Sequence, residues 1–260
     1  MFKTFAASIL ASLVSAQAGD ALIGTNIGGW MVLEPWITPS LFYRFLGKTH
    51  SEGVGMDSYT FCEALGPEEG NAVMRAHWDA WITEDLIKNL ADREVEVVRL
   101  PIGDWTTTPY GPYIGCMDGA AEKIQWFMDT AHKYGIKVLL DVHAIKDSQN
   151  GFHNSGKASN VEWDSEVSFR HWSISAANWM GHWNGWGYDS IDQSHIQWAI
   201  DNVTALMNKW GNHPALYALE PVNEPWWSSD IPTLKNFYRA CRDEVRKVNP
   251  DVLFVFHDSF

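Results

Sequence analysis

The chain has 260 residues, 46% of them hydrophobic and 20% charged, with a formal net charge of −13. That apolar content is enough for the core of one large domain or two small ones. An acidic chain without a basic run is a poor partner for nucleic acid or an anionic membrane surface, and those function classes are set aside.

Residues 1–18 differ from the rest. Lys3 precedes the apolar run 5–14, and Ala16-Gln17-Ala18 has the small-x-small form of a cleavage site. This segment reads as a secretory signal peptide, too short for a membrane span. No later run is long enough to cross a membrane, so the expected product is secreted, extracellular or cell-wall associated. Its cysteines number three, Cys62, Cys116 and Cys241. At most one pair can form, and the odd thiol is either buried or has its partner outside this sequence. No Cys or His spacing resembles a zinc site, and neither a metal nor another cofactor is implied.

From residue 21 onward, strands and helices alternate. Residues 22–30 form a short strand running into the Gly28-Gly29 turn, followed by a loop over 35–40. Residues 57–65 read as helical, and 67–92 contain a helix with Trp78, Trp81, Ile82, Leu86 and Leu90 on an apolar stripe. The second strand covers 95–101. The next helix runs from 120 to 134, with Gly135 as its C-cap, and the third strand covers 136–143. Residues 144–190 are a long insertion rich in Trp and Gly, without clear periodicity. A loop of this length in a compact domain is functional or disordered, and its aromatic content argues against disorder. A helix follows over 194–210, with Ile196, Ile200, Val203, Leu206 and Met207 facing inward. It contains the glycosylation sequon Asn202-Val203-Thr204, which helix formation would make unusable.

The fourth strand starts at Ala215 and leads into Asn223-Glu224-Pro225-Trp226-Trp227. Pro225 cannot supply a ladder hydrogen bond, so the strand is expected to stop at about Glu224. An apolar wall beside such a carboxyl would raise its pKa, as a general acid requires. A helix over 232–248 and a fifth strand over 252–258 complete the alternation.

Repeated β-then-α units with near-continuous apolar strands imply a parallel sheet covered by helices. No Gly-x-Gly-x-x-Gly follows a strand, so a dinucleotide fold would lack its phosphate loop. Polar residues gather instead at the carboxyl ends of successive strands: Arg99, then Asp141 and His143, then Asn223 and Glu224, then His257 and Asp258. That pattern favours an α/β barrel. Taken singly, Arg99 reads equally well as a buried ion-pair partner, and His143 as a hydrogen-bonded core histidine.

Four blocks carry a family likeness. Residues 28–42 (Gly-Gly-Trp-Met-Val-Leu-Glu-Pro-Trp-Ile-Thr-Pro-Ser-Leu-Phe) resemble the first barrel loop of family 5 glycoside hydrolases of the exo-β-1,3-glucanase type. Residues 98–103 resemble the second strand of that family, Ser148–Gly156 its third loop, and Asn223-Glu224-Pro225 its acid/base strand. The likeness runs from about residue 20 to the end. It implies a (β/α)8 TIM barrel, of which residues 19–260 are the amino-terminal part with about the first five β/α units, and a retaining mechanism acting on a β-1,3-glucan or related oligosaccharide. It implies Glu224 as general acid/base and Asn223 as the amide on the sugar 2-hydroxyl. Arg99 and His143 match supporting residues, Glu34 and Asn154 match sugar-hydroxyl ligands, and Phe152 matches an aromatic clamp. The complete protein is expected to be a monomer.

The chain departs from the family in two places. His143 is followed by Ala144-Ile145-Lys146-Asp147 rather than by Gly, and Asp104 stands where Tyr is common. A retaining glycosidase also needs a second carboxylate about 5–5.5 Å from the first. In the family this nucleophile lies at the end of strand seven, and no residue of these five strands fits it. Four residues along a strand would put Glu220 roughly 13 Å from Glu224. The expectation is therefore an incomplete site, inactive alone. The alternatives are a non-catalytic β-glucan-binding module and a truncated gene product without function.

Overall fold

The computed structural model of the chain describes residues 21–159, 161–171 and 178–259. The expected signal segment at 1–18 lies outside the described residues. Five parallel strands form one sheet in chain order: β1 (Gly24–Asn26), β2 (Val97–Gly103), β3 (Lys137–Ala144), then Leu216–Glu220 and Leu253–Phe254. Between β1 and β2 come α1 (Ser58–Trp81) and α2 (Glu84–Ala91), and between β2 and β3 lies α3 (Ala120–Lys133). A sheet whose strands neighbour one another in sequence order, with helices in the crossovers, is the wall of an α/β barrel.

The insertion after β3 is more regular than its sequence suggests. It forms two antiparallel ribbons: β4 (Val161–Trp163) with β5 (Phe169–His171), and β6 (Gly181–Trp183) with β7 (Tyr188–Ile191). Each is too short to show a period. The first ribbon leans on residues 49–52: Trp163 stacks on His50 with ring centroids 4.5 Å apart, and Ser51 N donates to Glu166 Oε2. After the second ribbon come α4 (Gln193–Trp210), the fourth strand of the main sheet, β8 (Leu216–Glu220), α5 (Ile231–Val248) and β9 (Leu253–Phe254).

Local chemistry accounts for the boundaries. Asp57 caps α1 by accepting from Thr60 N, and Asp192 and Asp230 cap α4 and α5 in the same way through Ser194 N and Thr233 N. At Gly66, where φ is 70°, α1 breaks just before Pro67, so the two expected helical stretches abut across a kink. The fourth strand ends at Glu220 rather than near Glu224. Pro221 comes first and already lacks the ladder N–H, so the rule applied to Pro225 acts four residues earlier. The expected fifth strand is paired over only two residues, Leu253 and Phe254.

Buried aromatic and aliphatic side chains fill the space between sheet and helices. Trp30 is fully buried, donates its indole N–H to the Trp78 carbonyl and packs on Phe127 at 5.4 Å. The inward face of α4 carries Ile196, Val203, Leu206 and Met207 as expected, together with Ala199, Asn202 and Trp210, while Ile200 is only partly buried. Cys62 on α1 is bridged to Cys116, while Cys241 on α5 is a buried thiol whose pKa is pushed up by burial, an inert core position. Asn202 is also buried. Its amide donates to the Asp104 carbonyl and to Thr107 Oγ1, so the sequon is closed to modification in the folded chain. No described helix is long and apolar enough to cross a membrane.

Candidate active site

The site forms where β2, β3 and β8 end. Arg99, on β2, reaches across the sheet to Glu220, the last residue of β8. Nε lies 2.9 Å from Oε2, and Nη2 lies 3.0 Å from Oε1. The same guanidinium approaches Asp141 Oδ2 at 3.0 Å, donates to Asn223 Oδ1 at 2.8 Å and reaches Asn26 Oδ1 at 3.1 Å. Only a planar fork can serve so many acceptors in fixed directions. Asp141 is fully buried and Glu220 nearly so, which makes the cation necessary. Burial pushes the Glu220 pKa up, Asp141 adds to the rise, and Arg99 opposes it.

His143, two residues beyond Asp141 on the same face of β3, places Nδ1 2.6 Å from Asp141 Oδ2. Burial works against its charge, but the Asp141 carboxylate outweighs it and carries His143 above the usual histidine range. Both readings of Arg99 and His143 therefore hold at once: His143 is a buried pairing partner and Arg99 a part-exposed one, and Arg99 also bonds Asn223. Asp141 and Glu220, which carried no role in the sequence reading, anchor the network.

Glu224 is half-buried, in a left-handed turn with φ of 47°. For a non-glycine residue this conformation costs on the order of 1–3 kcal/mol, and such strain collects at functional sites. The Ser148–Gly156 loop holds the turn. Asn150 Nδ2 donates to the Glu224 carbonyl at 3.1 Å, and Asn154 Nδ2 donates to Glu224 Oε2 at 3.1 Å. Gln149 is fully buried; its amide group donates to the carbonyls of His143 and Asn223 and accepts from Ile145 N. Gln149 and Asn150 belong to the Ser148–Gly156 block, which the family likeness marks without giving either residue a role. Their signal is that buried amides in a loop must find partners, and here the partners are the strand ends.

Glu34 enters from the Gly28-Gly29 loop. Its Oε2 accepts from Gly29 N at 2.8 Å, and burial raises its pKa, with the nearby Glu224 charge pushing the same way against His143. At Gly29 φ is 67°, and a Cβ on Gly28 would lie 3.0 Å from that same Glu34 oxygen, so the pair of glycines is needed for the carboxylate to sit there. Phe152 meets Trp226 edge-on at 5.4 Å, and Trp36, 59% exposed, stands over His153 at 6.1 Å. Six of the seven sequence-predicted residues lie on loops or at a strand end; Arg99 sits within β2, and its side chain reaches Asn223 and Glu220. Asp104 does not open onto the site: it is fully buried and accepts from Lys146 N and Trp198 Nε1. Among the described residues, no cluster of His, Cys, Asp and Glu is arranged to hold a metal ion.

The family model for cellulase (glycosyl hydrolase family 5) matches residues 62–259. The chain belongs to glycosyl hydrolase family 5. Among curated proteins, this family 5 chain is 34% identical to the glucan 1,3-beta-glucosidase of Lachancea kluyveri, over 93% of this chain and 50% of that protein. It is 31% identical to the enzyme of the same name from Pichia angusta, over 100% of this chain and 56% of that one. It is 30% identical to the sporulation-specific glucan 1,3-beta-glucosidase of Saccharomyces cerevisiae, over 97% and 52%. The chain thus spans about half the length of the curated relatives it matches. In three dimensions it resembles the crystal structure of AoRut, with a TM-score of 0.65 at 23% identity over 92% of this chain and 62% of that one. It also resembles rutinosidase from Aspergillus niger, with a TM-score of 0.62 at 20% identity over the same shares. At these identities the structural likeness speaks for the fold: the five-stranded sheet is part of the family 5 TIM barrel.

Proposed function

We propose that this family 5 chain carries the acid/base half of a retaining β-glucan hydrolase of the exo-β-1,3-glucanase type. The observation that carries the reading is the Glu224 turn: a strained glutamate at the strand ends, with Asn154 on its carboxylate and Asn150 on its carbonyl. Curated relatives named as glucan 1,3-beta-glucosidases supply the substrate class. Glu224 gives its proton to the bridging oxygen while a carboxylate attacks the anomeric carbon, then takes a proton from the water that releases the sugar. Arg99 and Asp141 fix Asn223 and His143. Asn223 Nδ2 and His143 Nε2 have no hydrogen-bond partner among the described residues, which suits them to sugar hydroxyls, with Asn223 on the 2-hydroxyl. Glu34 and Asn154 are further hydroxyl ligands, and Phe152 is an aromatic wall. In this reading residues 1–18 direct export, and the enzyme works outside the cell or in its wall.

The second carboxylate is not offered by these strands. Asp141 and Glu220 are both held by Arg99, and Glu34 is held by the Gly29 N–H. We place the nucleophile outside the five strands, and we expect this chain by itself to bind glucan without turning it over. In the complete barrel, Glu224→Ala slows laminarin hydrolysis by about 10²–10⁴-fold. On aryl glucosides whose leaving group needs no proton it leaves the first step largely intact, seen as a burst of released phenol, while turnover stays slow until a nucleophile such as azide replaces the water that Glu224 would activate. Near-normal laminarin rates would remove Glu224 from the acid role. Glucan binding with no glucose released by the complete barrel, and no response to Glu224→Gln, would favour a non-catalytic binding module instead.

A further inference from the structure

Beyond Glu224 the chain presents two tryptophans, Trp226 and Trp227, that the proposed chemistry does not use. Phe152 packs edge-on against Trp226 at 5.4 Å, and Trp226 packs at 6.4 Å, tilted by 48°, against Trp227. Trp226 is almost covered, but Trp227 is 58% exposed. A lone exposed tryptophan is ordinary on a protein surface. This one is the outer end of a continuous row of rings that starts in the loop holding Glu224.

From this arrangement we infer that Trp227 is the platform for the leaving-group side of the substrate, taking the first or second glucose unit past the scissile bond. This rests on the acid/base reading of Glu224. An acid/base residue delivers its proton to the oxygen of the departing sugar, so the loop that carries the acid borders the departing side. Trp227 is three residues along that loop, a reach of at most about 10 Å. The C–H face of a glucose ring packs on an indole, and an exposed indole three residues from a carboxylate offers an apolar face with a polar group in reach, as carbohydrate pockets require. Trp226, wedged between Phe152 and Trp227, fixes the platform's position.

The test is calorimetric titration of the full chain carrying Glu224→Gln, which removes any turnover, with laminaripentaose and with glucose. Adding Trp227→Ala should weaken laminaripentaose about three- to tenfold, and leave glucose, which needs only the subsite before the bond, unchanged. Trp227→Phe, which keeps a ring at the position, should stay within about twofold for both sugars. Unchanged laminaripentaose affinity in Trp227→Ala overturns the inference and leaves the Glu224 site standing, as does an equal loss for both sugars. No laminaripentaose binding by the Glu224→Gln chain with Trp227 intact overturns the site reading itself, and this inference with it.

Discussion

Gln149 Nε2 lies 2.9 Å from the carbonyl oxygen of Asn223, joining the loop after β3 to the end of β8 across 74 residues of sequence. The same nitrogen holds the His143 carbonyl at 2.7 Å, and the amide oxygen takes Ile145 N at 3.3 Å. One buried amide therefore fixes the backbone of both strand ends that carry site residues. Gln149→Ala strands these groups and should cost about 1–3 kcal/mol in urea unfolding. It should also weaken laminaripentaose binding, although Gln149 itself is fully buried. A variant as stable as the parent would show that water replaces the bridge.

Arg99 sets a larger cost. Its side chain neutralises Asp141, which is fully buried, and Glu220, whose side chain is 4% exposed. Arg99→Met leaves Glu220 without its cation and Asp141 with His143 alone, and should destabilise the fold by about 3–5 kcal/mol. Arg99→Lys restores the charge without the fork and should recover only part of that loss. Equal stability of the lysine variant and the parent would show that charge alone suffices.

Asp104 makes the fold sensitive to pH. Burial pushes its pKa up from 3.8 to about 6. Between those values the native state holds a proton that the unfolded chain releases. Stability from this group is therefore complete below about pH 4 and is lost as pH rises through about 6, a swing of up to about 3 kcal/mol. Asp104→Asn should remove that component. The difference in unfolding free energy between variant and parent, measured from pH 4 to 7, should grow in the variant's favour across this window. A flat difference would refute the assignment.

The Cys62–Cys116 bridge spans 54 residues, tying the first part of α1 to the segment before α3. Closing a loop of that size restricts the unfolded chain by about 4 kcal/mol in the chain-entropy model. The double variant Cys62→Ala/Cys116→Ala should melt well below the parent, and a reductant should lower the parent's melting temperature but not the variant's. Cys241 is buried and unpaired, and it should resist thiol reagents until the chain unfolds.

The order of strands and helices was legible in the sequence because apolar periodicity is a local property. So were the residues at the strand ends, which motifs label. What escaped was set by distant contacts. Arg99 finds Glu220 across 121 residues, and nothing near either residue announces the pair. Glu220 was weighed only as a failed nucleophile, when its role is to hold the arginine. The strand that was to end at Glu224 ends at Glu220, since Pro221 intervenes. The two ribbons inside the 144–190 insertion were invisible because three- and four-residue strands are too short to show a period.

Asn202 leaves the folded protein with a choice already made. The nitrogen that a glycosyl transferase would modify is the one that pins α4 to the turn after β2 through Asp104 and Thr107. A sugar attached there before the helix docks would block the docking. A folded chain that passes through glycosylating machinery is therefore bare at this position, and the mass of the Asn202 peptide from native protein checks it: unmodified asparagine is expected, and a glycan there would show that this contact had not closed.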